Sequence, residues 1–161
     1  FTLPEPLISK AAPRIMSLRD GTAKMSKSDP SDASRINLVD SDDMIVQKIR
    51  KAKSDADALP EIAKDLEGRP EARNLITIYA ALAGSSTDSV LGEFAGQGFG
   101  AFKPALADLA VATLGPIRDR LTALLTDRAA VAAILDQGAD RARSLAAPTL
   151  RAAQDAVGLQ I

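Results

Sequence analysis

From about Lys103 to Thr126, Leu106, Leu109, Ala110, Thr113, Leu114, Ile117, Leu121, Leu124 and Leu125 return every three or four positions. That spacing lines one face of an α-helix, and so long a stripe commits the chain to packing helix on helix. Gly115-Pro116 interrupts it, which predicts a kink or a break there. Apolar residues make up 46% of the 161-residue chain but aromatics only 3%. The core must therefore be aliphatic, and alanine-rich aliphatic chains favour helices. The length fits one ordinary domain, or a small domain with a piece of another.

Further helices precede and follow this stripe. Ser41 or Asp40 can cap a short one, with Asp42 and Asp43 at its positive end, Met44, Ile45 and Ile49 at helical spacing, and Lys48, Arg50, Lys51 and Lys53 towards its negative end. Ser54 to Pro60 is a polar break. A second helix starts near Pro70, buries Leu75, Ile78, Tyr79 and Leu82, and stops at Gly84. Thr87 caps a third holding Val90, Leu91 and Phe94. Gly96, Gly98 and Gly100 lack the preceding strand and the lysine of a phosphate loop, so they mark a helix stop and a turn that Phe99 and Phe102 anchor to the core. A last pair carries Val131, Ile134, Leu135, Ala142 and Leu145, then Leu150, Ala153 and Val157 beyond Pro148. The fold class is mainly α, a bundle of five or six helices behind a short non-helical head.

In that head, residues 1 to 13 are proline-punctuated and extended. Ile15, Met16 and Leu18 form an apolar run too short for a helix, read as a buried strand end, and Asp20-Gly21 is a turn dipeptide. The opening at Phe1, without an initiator methionine, reads as the middle of a longer protein. The chain has no cysteine and no histidine. Disulfides, thiolate metal sites and the commonest general base are excluded, and any chemistry rests on Lys, Arg, Ser or carboxylates. A net charge of −1 argues against a protein that wraps nucleic acid, yet Lys24, Lys27, Arg35, Lys48, Arg50, Lys51 and Lys53 crowd the first third and read as a local binding face. No apolar run reaches the roughly 18 to 20 residues of a membrane span, and no signal peptide is evident. The chain reads as cytoplasmic.

The most informative stretch is Lys24-Met25-Ser26-Lys27-Ser28. Lysine brings a point charge on a flexible stem and serine a donor that turns to suit an oxygen. A bare pair of lysines at this spacing is the mark of a solvated loop. Here an apolar run leads in, an Asp-Gly turn precedes, and Ser28-Asp29-Pro30 closes the segment, as in a mobile loop hung between fixed elements. The pentapeptide is the full KMSKS signature, and by it the chain resembles the class I aminoacyl-tRNA synthetases. Its flanks Arg14 to Leu18, Ser28-Asp29-Pro30 and Ile36-Asn37-Leu38 are similar to those of the bacterial tryptophanyl-tRNA synthetase family. The similarity continues through Ile49 to Ala52, Asn74 to Tyr79 and Gly98 to Lys103, and so covers nearly the whole chain.

The resemblance implies a carboxy-terminal fragment. Residues 1–38 would close a Rossmann-type catalytic domain and carry the KMSKS loop, and residues 39–161 would form the helical anticodon-binding domain. The parent would be a tryptophan–tRNA ligase, an enzyme that uses ATP with Mg2+ to activate L-tryptophan and passes it to tRNA(Trp), working as a homodimer. Lys24 and Lys27 would act catalytically on the ATP phosphates, and Ser26 and Ser28 would add donors. Met25 would pack the loop shut, and Ile15, nine positions before Lys24, would lie against the adenosine. The family's HIGH-type motif needs a histidine, so the fragment alone is expected to bind no nucleotide and to be inactive. No anticodon-reading residue can be named; Arg118, Arg120, Arg128, Arg141 and Arg143 are candidates, for which ion pairing on exposed helix faces is the plainer role. Two other readings stand beside this one: a tyrosyl-tRNA synthetase fragment, and a non-catalytic helical RNA-binding or interaction module.

Overall fold

The computed structural model describes residues 2–8 and 12–159. Residues 2–8 carry no regular structure, and the opening at Phe1 and the extended reading of residues 9–11 lie outside the described residues. Five α-helices follow one another: α1 (Asp42–Lys51), α2 (Pro70–Ala83), α3 (Thr87–Phe94), α4 (Phe99–Thr126) and α5 (Arg128–Ala156). Short 3-10 turns cover Asp32–Ser34 and Ala63–Leu66, and no strand occurs among the described residues. The chain divides into two compact units, Phe1–Arg118 and Asp119–Ile161.

The first unit is built around α2. Pro70 opens it, where the missing N–H costs no bond, and Gly84 ends it at φ 63°, with its amide bonded to the Ala80 carbonyl. Leu75, Ile76, Ile78, Ala72 and Ala80 are buried and Tyr79 and Leu82 only half-buried, so the buried face is broader than the periodicity implied. α2 packs against α3 and the 63–66 turn. In α1 the cap is Ser41, whose Oγ accepts the Met44 amide at 3.3 Å. The cap of α3 is Ser86 and not Thr87: Ser86 Oγ accepts the Ser89 amide at 3.1 Å, and Thr87 is the first helical residue.

α3 gives way to α4 through Gly96, at φ 75°, with the Gly96 amide on the Leu59 carbonyl and the Leu59 amide on the Gln97 carbonyl, both at 2.8 Å. Phe99 and Phe102 anchor this turn as expected. Phe102 meets Phe94 edge to face at 5.0 Å between centroids, and Tyr79 meets Phe94 at 5.3 Å. The described aromatic rings are thus spent on one another in the core.

α4 runs without a break through Gly115-Pro116, and the expected last pair of helices is one helix, α5, continuous through Pro148. Each proline removes one hydrogen bond, and Pro116 and Pro148, like Ala112 and Ser144 one turn earlier, stand at exposed positions, so a freed carbonyl there need not be stranded in the core. Within the second unit α5 buries none of its residues fully, and Ile134, Leu135, Leu145, Leu150 and Val157 remain exposed.

Candidate functional site

The expected strand end is a narrow hairpin with a single antiparallel bridge, Met16 to Lys24. The Ser17 amide donates to the Ala23 carbonyl at 2.8 Å and the Met25 amide to the Ile15 carbonyl at 3.1 Å. At its turn the Asp20 carboxylate accepts the Thr22 hydroxyl at 2.6 Å and the Thr22 amide at 2.9 Å. These bonds, the hydroxyl's first, hold the Asp20 carboxyl below its usual range.

Among the described residues no strand pairs with this hairpin. The Leu18 amide donates to the Ser34 carbonyl at 2.9 Å and the Leu18 carbonyl accepts the Lys53 amide at 2.7 Å, and a side chain holds the positions before it. Asn74, in the middle of α2, accepts the Met16 amide at 2.9 Å and donates to the carbonyls of Met16 at 2.9 Å and Ser17 at 3.3 Å. The carboxamide stands where a neighbouring strand's peptide would. The turn rests on the first turn of α2 so closely that a Cβ on Gly21 would lie 2.5 Å from the Glu71 nitrogen and the Pro70 carbonyl carbon. Glu71 accepts Lys53 Nζ at 2.7 Å, and that bond is the largest of the influences lowering its carboxyl's pKa. Neither Asn74 nor Gly21 was assigned this role from sequence. The readable signal was a lone amide inside an otherwise aliphatic stripe.

All six residues expected to meet ATP lie on this hairpin and the turn beyond it. Ile15 and Met25 are neighbours across it, half-buried and packed on the core. Lys24 sits on the bridge with its side chain exposed. Ser26 to Asp29 then make a tight turn, closed by the Asp29 amide on the Ser26 carbonyl at 3.3 Å and the Ser28 amide on Ser26 Oγ at 3.2 Å. Lys27 stands at its apex. Ser26, Lys27 and Ser28 are exposed, and neither lysine has an ion-pair partner among the described residues. Two unpaired ammonium groups and two hydroxyls beside an apolar shelf can receive a flat ring attached to a polyanion. No three metal-ligating side chains gather among the described residues. A cavity of about 710 Å³ borders Arg14, Met16, Gly21, Arg73 and Asn74 and includes neither motif lysine.

Of the wider basic face, Arg50 and Lys51 stay exposed like Lys24 and Lys27, and the other three members turn to carboxylates. Lys48 is buried and held by Asp40 and Asp32, each at 2.6 Å; Lys53 pairs with Glu71 and Arg35 with Asp32. Asp40 precedes the Ser41 cap of α1 and lies eight positions before Lys48, whose ammonium reaches back to it. Of the arginine candidates, Arg118 pairs with Asp42 at 2.5 Å and Arg143 with Asp140 at 2.7 Å. Lys103, near the end of α1, donates to the Ala52 carbonyl at 2.7 Å, and burial lowers its pKa.

A family model described as tRNA synthetases class I (W and Y) matches residues 1–115. Among curated proteins, the tryptophan–tRNA ligase of Rhizobium meliloti (strain 1021) is 59% identical over 154 residues, which is 96% of this chain and 44% of that protein. The Caulobacter vibrioides tryptophan–tRNA ligase is 55% identical over 158 residues, 98% of this chain and 46% of that protein. The chain spans less than half the length of these relatives. In structure it is similar to the tryptophanyl-tRNA synthetase of Mycoplasma pneumoniae, with TM-score 0.76 and 28% identity over 95% of this chain and 47% of that one. The Campylobacter jejuni enzyme complexed with ADP and tryptophan is similar at TM-score 0.63 and 26% identity, over 99% of this chain and 48% of that one.

Proposed function

The chain belongs to the class I tRNA synthetases for tryptophan and tyrosine, and from that premise we propose that it is the carboxy-terminal part of a tryptophan–tRNA ligase. Residues 1–38 close the catalytic domain and residues 39–161 form the helical domain that meets the anticodon of tRNA(Trp). In the whole enzyme the tryptophan carboxylate attacks the α-phosphate of ATP and pyrophosphate leaves. Lys24 and Lys27 neutralise the charge that grows on the departing phosphates, while Ser26, Ser28 and the loop amides orient them. Ile15 and Met25 form the shelf for the adenosine. Mg2+ accompanying the nucleotide, a homodimer and a cytoplasmic setting belong to the same proposal.

One observation carries it: two exposed lysines with no ion-pair partner among the described residues, held at the end of a hairpin whose other face offers a half-buried Ile15–Met25 shelf. Tryptophan, rather than tyrosine, is favoured by curated relatives at 59% and 55% identity that are tryptophan–tRNA ligases. The test is ATP–pyrophosphate exchange in the full-length protein with each amino acid. Exchange that depends on tryptophan is expected, and exchange that depends on tyrosine refutes the reading. The 161-residue chain by itself is expected to show none.

A further inference from the structure

We propose that Arg35 is a positioning residue for the lysine-bearing loop, clamping the loop's exit so that only its tip is free to move. This rests on the reading of Lys24 to Ser28 as the ATP-phosphate loop. Arg35 Nη1 donates to the carbonyls of Asp29 at 2.9 Å and Ser31 at 3.4 Å, the two backbone groups through which the chain leaves the loop. The rest of the guanidinium faces the protein: Nε donates to Asn37 Oδ1 at 3.1 Å and Nη2 pairs with Asp32 at 3.2 Å. Behind it is a rigid frame. Lys48 bridges Asp32 and Asp40, and Asp40, 2% exposed, also accepts the Asn37 amide at 2.8 Å. One planar fork thus ties a surface loop to a buried ion-pair network, a geometry that a single ammonium cannot copy.

The clamp sets the length of the free segment. On the entry side the last cross-hairpin bond is the Met25 amide on the Ile15 carbonyl; on the exit side Arg35 holds Asp29. Between them lie residues 26–28, three positions. Without Arg35 the next point fixed to another part of the fold is Asp32, whose carboxylate still accepts Lys48 Nζ at 2.6 Å and Asn37 Nδ2 at 2.8 Å. The free segment then covers residues 26–31, six positions. Scaling as the three-halves power of length, the chance that the loop occupies one working geometry falls about threefold.

The test uses the full-length enzyme with Arg35→Met, Arg35→Lys and, as reference, Lys27→Ala. Arg35→Met is expected to lower kcat for pyrophosphate exchange by about threefold and to leave the KM for tryptophan unchanged, a split that general loss of fold would not produce. Arg35→Lys is expected to remain impaired, since charge alone does not restore the fork. In the 161-residue chain, the same variant is expected to speed amide exchange at Ser28 and Asp29 by a similar factor. Lys27→Ala impaired with Arg35→Lys at the parent's kcat and exchange rates overturns the clamp. Lys27→Ala at the parent's rate overturns the reading of the loop beneath it. Should Arg35→Met fail to fold, Arg35→Lys decides.

Discussion

Replacing Asn74 by alanine should release the hairpin from α2. The substitution removes three hydrogen bonds, to the Met16 amide and to the carbonyls of Met16 and Ser17, at a side chain only 5% exposed. A net contribution of about 1 kcal/mol per bond, or the penalty of stranding the Met16 amide and carbonyl away from water, places the cost at about 3 kcal/mol. Since 1.4 kcal/mol is tenfold, the hairpin should open about a hundredfold more often. The loss is local, because the contacts of Leu75 and Ile76 in the core do not involve the carboxamide. Hydrogen exchange resolved by residue should show protection falling by about that factor at Met16, Ser17 and Met25, and far less along α2. Asn74→Asp should be no better, because it keeps the acceptor for the Met16 amide but turns a carboxylate oxygen towards two carbonyls. A change of less than about threefold at those amides in both variants would refute the claim that the Asn74 carboxamide adds to the backbone bonds in holding the site in place.

Gly21→Ala should destabilise the first unit by about 1–3 kcal/mol in urea unfolding, because the new Cβ meets the backbone of Pro70 and Glu71, which cannot step aside. Lys48→Met should cost more, about 3–5 kcal/mol, by leaving the buried Asp40 unpaired, and Lys48→Met with Asp40→Leu should recover a good part of it. Acid should destabilise the fold. The Arg69 hydrogen bond holds the Asp55 carboxyl, and the Lys53 bond the Glu71 carboxyl, below their usual range. The unfolded chain therefore takes up protons first, and the stability these pairs contribute is present above the ordinary carboxylate values near pH 4 and lost as pH falls through the lower folded ones. Melting temperatures from pH 7 to pH 3 should fall, and Asp55→Asn should flatten part of that slope.

Local chemistry was legible in the sequence, and distant partnership was not. Ser41, Pro70 and Gly84 carry their meaning within a turn of helix: α1 begins, and α2 begins and ends, where those residues place them. The candidate site was legible because its motif is contiguous, with Ile15 brought to Met25 by one turn. Asn74 meets Met16 across 58 positions, a pairing that periodicity cannot encode, and so the support of the site went unseen. Lys48 was counted with a basic face because a linear tally of charge cannot see that its ammonium turns inward to Asp40 and Asp32. The breaks expected at Pro116 and before Pro148 did not form, because both prolines stand at exposed positions where a lost helix bond strands nothing in the core. Periodicity likewise marks which side of α5 is apolar without saying whether anything covers it.

The central claim, that Lys24 and Lys27 act on the phosphates of ATP, is tested most directly by pre-steady-state pyrophosphate exchange in the full-length enzyme carrying Lys24→Ala or Lys27→Ala. Removal of one group aimed at transition-state charge costs about a hundredfold to a thousandfold in kcat. The prediction is a loss of that order in each variant with tryptophan affinity unchanged, and unchanged exchange rates in both would contradict it.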